Sequence, residues 1–318
     1  MTGTAAGWRS EVELRQTIEA ARLYYLHQES KLVIAERLGV TRFRVARLLE
    51  RAHASGLVHI EIRDPHAVDA ALSGQLSRAL GIKRVLVASS ETDDAKREVG
   101  ALAARYLADT VRTGASLGLA WSRSTEALVA QLIGLPPCTI VQLCGVIAHA
   151  AGEEQNVDLV RRAAASVAGT PVTFHAPLVV AEPAIIAALR RNPNISEALH
   201  ASDNLDVAVI AIGMWVPGES TVHDSLPPSE QSQFAARGAV AETAGMLFTR
   251  DGEPVRDGLQ RRVAAVTEQQ LRRAGDVVAL ACDEQRVPAV RALAATGLIS
   301  TLVTHRSLAE RVLAADRS

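Results

Sequence analysis

The stretch Lys31–Ile62, KLVIAERLGVTRFRVARLLERAHASGLVHIEI, constrains this chain more than any other. Ile34, Ala35 and Leu38 fall on one face of a helix over Lys31–Leu38, with Glu36 and Arg37 turned away. Gly39 follows where that helix must stop, since glycine takes the left-handed conformation at little steric cost. Thr41 is placed to cap a second helix, its hydroxyl accepting from free amides of the first turn. In that helix Val45, Leu48, Leu49 and Ala52 form a buried stripe. Arg44, Arg47 and Arg51 share another face, and Arg42 joins them near the N-terminus. Val58, Ile60 and Ile62 then alternate with His59 and Glu61, the period of a half-buried strand.

Two short helices, a glycine turn and a following strand make a winged helix-turn-helix. A second helix rich in arginine fits the major groove of DNA, its N-terminal residues at base edges and the rest near phosphates. The residues expected to meet DNA are Thr41, Arg42, Arg44, Arg47 and Arg51. Periodicity alone would suit a helical hairpin with a solvated arginine face; the agreement of cap, turn, basic face and strand favours DNA. Upstream, residues 1–9 read as a loose tail, and Ser10 with Glu13 forms a capping box. Leu14, Ile18, Ala21 and Tyr25 then line one face of a supporting helix. Residues 1–64 therefore form one small domain.

Charge supports a local rather than a general nucleic-acid surface. The whole chain of 318 residues has a net charge of −1, yet Lys31–Arg63 holds seven Lys/Arg against three Glu. At ~150 residues per domain there is room for about two domains. Three cysteines, Cys138, Cys144 and Cys282, have no metal-ligand spacing and an odd count, which points to a reducing cytoplasm. No apolar run reaches the ~18 residues that span a bilayer, so no membrane partner is expected.

Arg63-Asp64-Pro65 breaks the pattern, and residues 65–318 follow a different one. A helix is expected over Ala67–Leu80: a linker, a dimerising helix, or the first helix of the next domain. Candidate strands lie at Arg84–Ala88, Ser116–Ala120, Thr139–Leu143, Pro171–His175, Asp206–Ile212, Val277–Ala281 and Ser300–Thr304. Helices are expected between them at Ala95–Thr110, Thr125–Ile133, Val157–Ala168, Pro183–Arg191 and Val287–Ala295, with Ser307–Ala314 closing the series. Such alternation implies an α/β domain with a mostly parallel sheet covered on both faces, whose ligands bind at the carboxyl ends of the strands.

With VARLLERAHASGLVHIEI at 45–62, six further pieces carry a resemblance: LGLAWSRS at 117–124, VQLCG at 141–145, HAPLVV at 175–180, LDVAVIAIG at 205–213, RGAVAETAG at 237–245 and LISTLVTH at 298–305. In order and spacing the chain resembles SorC/DeoR-type bacterial transcriptional regulators. The resemblance implies a Rossmann-like effector domain similar to sugar-phosphate isomerases and a dimeric or tetrameric assembly. It also implies a small sugar, sugar phosphate or sugar alcohol that controls binding to operator DNA. Some such regulators hold a lysine near the position of Cys144 that forms an imine with an aldehyde sugar; this chain has none there. Ser122 and Ser124 stand where glycine and threonine are usual, Arg286 where lysine is, Cys282 and Asp283 where two glycines are, and His305 where aspartate is.

The effector residues expected from this pattern are Trp121, Ser122, Arg123, Ser124, Cys144, Gly145, Glu242, Asp283 and Arg286. Amides and hydroxyls over 122–125 would open a helix toward an anion, with Arg123 adding a charge-assisted bond. Gly145 would allow close approach, and Cys144 reads as a small buried hydrophobe. Glu242 is either an acceptor for sugar hydroxyls or a helix-surface carboxylate. Arg286 could grip a phosphate through two nitrogens, which a lysine cannot. No cofactor, metal site or catalytic residue is expected, and no G-x-G-x-x-G follows a strand. The competing expectation is an isomerase-type enzyme using Glu242, Asp283 or His305 as its base.

Overall fold

A computed structural model describes residues 11–58, 68–89, 94–146, 155–256 and 258–315. The chain divides into two compact units, Met1–Arg63 and Asp64–Ser318.

In the first unit α1 spans Glu11–Ala21 and continues through a wide turn, Arg22–Leu26, before α2 (Lys31–Leu38) and α3 (Arg42–Ala54). Ser30 caps α2 and Thr41 caps α3, each side chain accepting a backbone amide three residues on. Gly39 ends α2 at φ +63°, the left-handed conformation expected of it. Ile34, Ala35, Val45, Leu48, Leu49 and Ala52 are all buried, and close on Ala20, Ala21 and Leu23. The expected stripe of α3 is thus the core of this unit.

The supporting helix differs. Its buried line runs Glu13, Thr17, Ala20 and Ala21: Ala21 is buried as expected, but Leu14 is only partly buried and Ile18 is 39% exposed. The reason is electrostatic: Glu13 accepts from both Arg44 and Arg51, and the three form a partly buried cluster between α1 and α3. Val58 packs on the same core and its amide donates to Ala52. The rest of the expected wing strand, the tail 1–9, the Ser10 cap and the Arg63–Pro65 break lie outside the described residues.

The second unit opens with α4 (Ala70–Leu80), capped by Asp69, so the helix expected from Ala67 starts three residues later. Val68 bridges to Ala88, and Asp69 pairs with Arg306, which makes α4 an integral part of this unit. All seven expected strands appear in one sheet: β1 Arg84–Ala88, β2 Ser116–Leu119, β3 Thr139–Gln142, β4 Thr170–Val172, β5 Val207–Ala211, β9 Asp276–Ala281 and β10 Thr301–His305. The order is β1-β10-β9-β5-β2-β3-β4 and every pairing is parallel. Apolar clusters cover both faces, one with Leu76 and Leu302, the other with Leu107 and Leu117. From β2 the chain winds one way to β3 and β4, then returns beside β2 as β5 and winds the other way. The crevice between β2 and β5 is therefore the switch point of a doubly wound sheet, where such folds place ligands.

The expected series also lacked the short helices Pro193–His200, Thr221–Ser225, Pro228–Ala236 and Glu268–Arg273, and a second sheet. Gly213–Met214 (β6), Ala241–Thr243 (β7) and Met246–Phe248 (β8) form a small antiparallel sheet set on the carboxyl end of β5. The β7–β8 turn places Ala244 at φ +47° and Gly245 at φ +80°, the two positive angles of a tight hairpin. Among the described residues no helix is long and apolar enough to cross a membrane.

Candidate functional site

There are two candidate surfaces, one on each unit. On α3 the five expected DNA-facing residues separate into three roles. Thr41 has its hydroxyl committed to the Arg44 amide. Arg44 and Arg51 reach Glu13 at 3.4 and 2.9 Å, with side chains 38% and 29% exposed, so both tie α3 to α1. Arg42 and Arg47 are exposed, and neither has an ion-pair partner among the described residues. The exposed surface of the first turns is thus Arg42, Phe43 and Arg47, and Phe43 is 85% exposed. Sequence reasoning passed over Phe43, which belonged to neither the apolar stripe nor the arginine face. The signal was its place outside the 45/48/49/52 stripe.

On the second unit a cleft opens at the switch point. Its wall combines the turn after β2 (Ala120–Ser124), Cys144 after β3, Ala211 at the end of β5, the 218–222 turn, Gly213, Glu242 and Ala244 of the small sheet, and Arg286 after β9. Trp121, Ser122, Arg123, Ser124, Cys144, Glu242 and Arg286, expected from widely separated segments, meet here. Gly145 faces elsewhere: a side chain there would strike the Ala176 carbonyl at 2.6 Å, so its bareness serves packing on 176–178. Asp283 stands behind the cleft wall, 3.7 Å from Lys96 and 3.1 Å from Arg286.

The loop expected to hold an anion is occupied by its own bonds. Ser122 Oγ accepts the Thr125 amide at 2.9 Å and meets the Thr125 hydroxyl at 2.8 Å, and Ser124 Oγ contacts Cys282 Sγ at 3.4 Å. Trp121 Nε1 donates to Glu126 at 3.2 Å. Arg123 remains exposed, with no ion pair among the described residues.

Arg286 is fully engaged. Nη2 donates to Glu219 at 2.9 Å, Nε to Asp283 at 3.1 Å, and Nη1 to the Ile212 carbonyl. Opposite it, Glu242 is buried on a strand rather than on a helix surface. One oxygen accepts from the Ser220 hydroxyl at 2.9 Å and the other from the Gly245 amide at 2.7 Å. Gly213 leaves the room this needs, since a Cβ there would lie 2.9 Å from the carboxylate. Burial pushes the Glu242 carboxyl above its usual range, against the pull of those two donors and of Arg286. Cys144 and Cys282 are each pushed up to about 11 by burial, so both are neutral thiols at physiological pH and poor nucleophiles.

Sequence reasoning missed Lys96, Glu219 and Ser220. The last two sit in VPGES at 216–220, a turn that follows β5 at the ligand end of the sheet. That position was the available signal. Among the described residues no group of His, Cys, Asp or Glu could hold a metal ion.

Residues 64–314 match the Sugar-bind family, described as "Putative sugar-binding domain". The chain is 30% identical over 301 residues to the transcriptional regulator LsrR of Klebsiella pneumoniae, covering 92% of this chain and 90% of that protein. It is 25% identical over 262 residues to the deoxyribonucleoside regulator of Bacillus subtilis, covering 80% and 83%. The crystal structure of the full-length sorbitol operon regulator SorC from Klebsiella pneumoniae superposes with a TM-score of 0.70 at 23% identity, over 95% of this chain and 99% of that one. The chain belongs to the Sugar-bind family and is a SorC/DeoR-type transcriptional regulator.

Proposed function

We propose that this regulator binds operator DNA of a carbohydrate-metabolism operon through α3, and that a small carbohydrate seated in the switch-point cleft sets its DNA affinity. The observation that carries the effector reading is the convergence of Arg286, Glu242, Ser220 and Trp121 on one cleft at the carboxyl ends of the strands. A buried carboxylate, a hydroxyl and an indole face suit a polyhydroxylated ligand: acceptors for its hydroxyls and an apolar plane for its ring. Charge favours an uncharged sugar or polyol over a sugar phosphate. Arg286 and Lys96 together face two carboxylates, Glu219 and Asp283, which leaves Arg123 as the exposed cation of the lining for a phosphorylated ligand. The DNA site is read by a homo-oligomer, at least a dimer, because a paired half-site requires two copies of α3. The protein works in the cytoplasm, where its three free, buried cysteines stay reduced.

The test is a melting-temperature panel of pentoses, hexoses, their phosphates and their alcohols. At least one member raises the melting temperature, and the rise shrinks in Arg286→Ala. A panel without any shift removes the effector reading and leaves the DNA reading standing. An enzyme of the isomerase type is the second reading, favoured only by the raised Glu242 carboxyl, which resembles a tuned base. Both Glu242 oxygens already accept hydrogen bonds inside the protein, and the relatives are named as regulators. No catalytic step is therefore assigned; turnover of pentose or hexose phosphates by the purified chain would reverse that.

A further inference from the structure

We propose that Phe43 reads the 5-methyl group of a thymine in the major groove, and that it sets the sequence preference of α3. The inference rests on the DNA-binding reading above. Phe43 is the second residue of α3 and is 85% exposed, the most exposed large apolar side chain among the described residues. A phenylalanine left in water forgoes a large transfer gain, and its place on the first turn of the DNA-facing helix gives that exposure a use.

What surrounds the ring selects the partner. On a helix, residues three, four and seven apart share a face, so Phe43 stands with Ala46, Arg47 and Glu50, and Arg42 precedes it. Arg42 and Arg47 are exposed and have no ion-pair partner among the described residues, whereas Arg44 and Arg51 are held by Glu13. A single ring between two uncommitted cations does not suit an apolar protein groove, which would offer nothing to the charges. It suits a polyanion that carries isolated apolar groups. In duplex DNA the phosphates take the arginines, and the thymine methyl is the one apolar group on the major-groove floor. The first turn of the second helix is also the part that meets base edges. The Thr41 cap fixes that turn, so the ring is presented on a held backbone.

The experiment enriches binding duplexes from a random-sequence library with the full chain, then replaces each thymine of the winning site singly by deoxyuridine. At one position per half-site, loss of the methyl weakens the wild type about fourfold. In Phe43→Ala the same replacement changes affinity less than twofold, and Phe43→Leu retains part of the effect. Two results overturn the proposal: Phe43→Ala responding to every thymine as the wild type does, or Phe43→Ala changing oligomeric state in sedimentation with thymine dependence intact. Arg47→Ala separates the levels. If it weakens binding while Phe43 shows no thymine coupling, only the Phe43 assignment falls; if the wild type enriches no duplex, the DNA reading falls with it.

Discussion

The two candidate surfaces treat charge in opposite ways. On α3, Arg42 and Arg47 are exposed and neither has an ion-pair partner among the described residues. In the cleft, Arg286 is matched by Glu219 and Asp283, and Glu242 by Ser220 and Gly245. The first surface waits for charge supplied from outside and needs no internal rearrangement to take it. The second is already satisfied, so a ligand enters it only by replacing bonds that exist. Affinity for a polyanion is then set by long-range attraction and falls with salt. Affinity in the cleft is a difference between two sets of short bonds and depends on the stereochemistry of the ligand's hydroxyls.

The sharpest way to break this contrast is to compare the arginines of α3 with one another. Arg47→Ala weakens binding to an enriched duplex by about 1–3 kcal/mol, roughly five- to 150-fold, with an unchanged melting temperature. Glu13→Gln instead costs about 1–2 kcal/mol of stability, because it strips two arginines of a partner at a partly buried site. Calorimetry beside fluorescence anisotropy distinguishes them; equal stability loss in both variants would erase the distinction between reading and bracing residues.

A smaller effect tests the cleft. Glu219→Ala releases one of the two carboxylates on Arg286 and raises the affinity for phosphorylated ligands by about 1 kcal/mol, several-fold, in titration calorimetry. Unchanged phosphate affinity would mean that Asp283 alone keeps Arg286 occupied. The smallest effect is in pH. The folded Glu242 carboxyl lies above its unfolded value near 4.5, so between the two the folded state binds more protons. Stability therefore falls as pH rises through that window, and Glu242→Gln removes this part of the decline. Parallel melting curves of the two proteins from pH 4 to 8 would contradict it.

Much of this was legible from periodicity. The buried stripe of α3, its Thr41 cap and the Gly39 turn are local features with spacings of three and four, and all appear where expected. Five strands of the parallel sheet, β1, β3, β5, β9 and β10, are largely buried runs rich in β-branched residues, which a one-dimensional pattern also records. What escaped depends on distance. Glu13 meets Arg44 across 31 positions, and no period reports that a buried glutamate will outcompete Leu14 and Ile18 for the interior. The sheet of β6, β7 and β8 has strands of two or three residues, too short to show alternation. Arg286 was visible as a cation, but its engagement by Glu219, 67 positions away, was not. Gly145 shows the same limit in reverse: a bare position after a strand looks like room for a ligand, and here it is room for residues 176–178.

The sheet order has a consequence for how the chain comes into being. β1, the first strand of the effector unit, has β10 as its strand neighbour, and Arg84 pairs in register with Thr301. Until the ribosome has delivered almost the whole chain, β1 lacks that partner. The first unit closes within 63 residues and can fold long before. During synthesis, a DNA-reading head is complete while the part that governs it is still unfinished. Any transcript cut short before codon 301 would leave that head without its control.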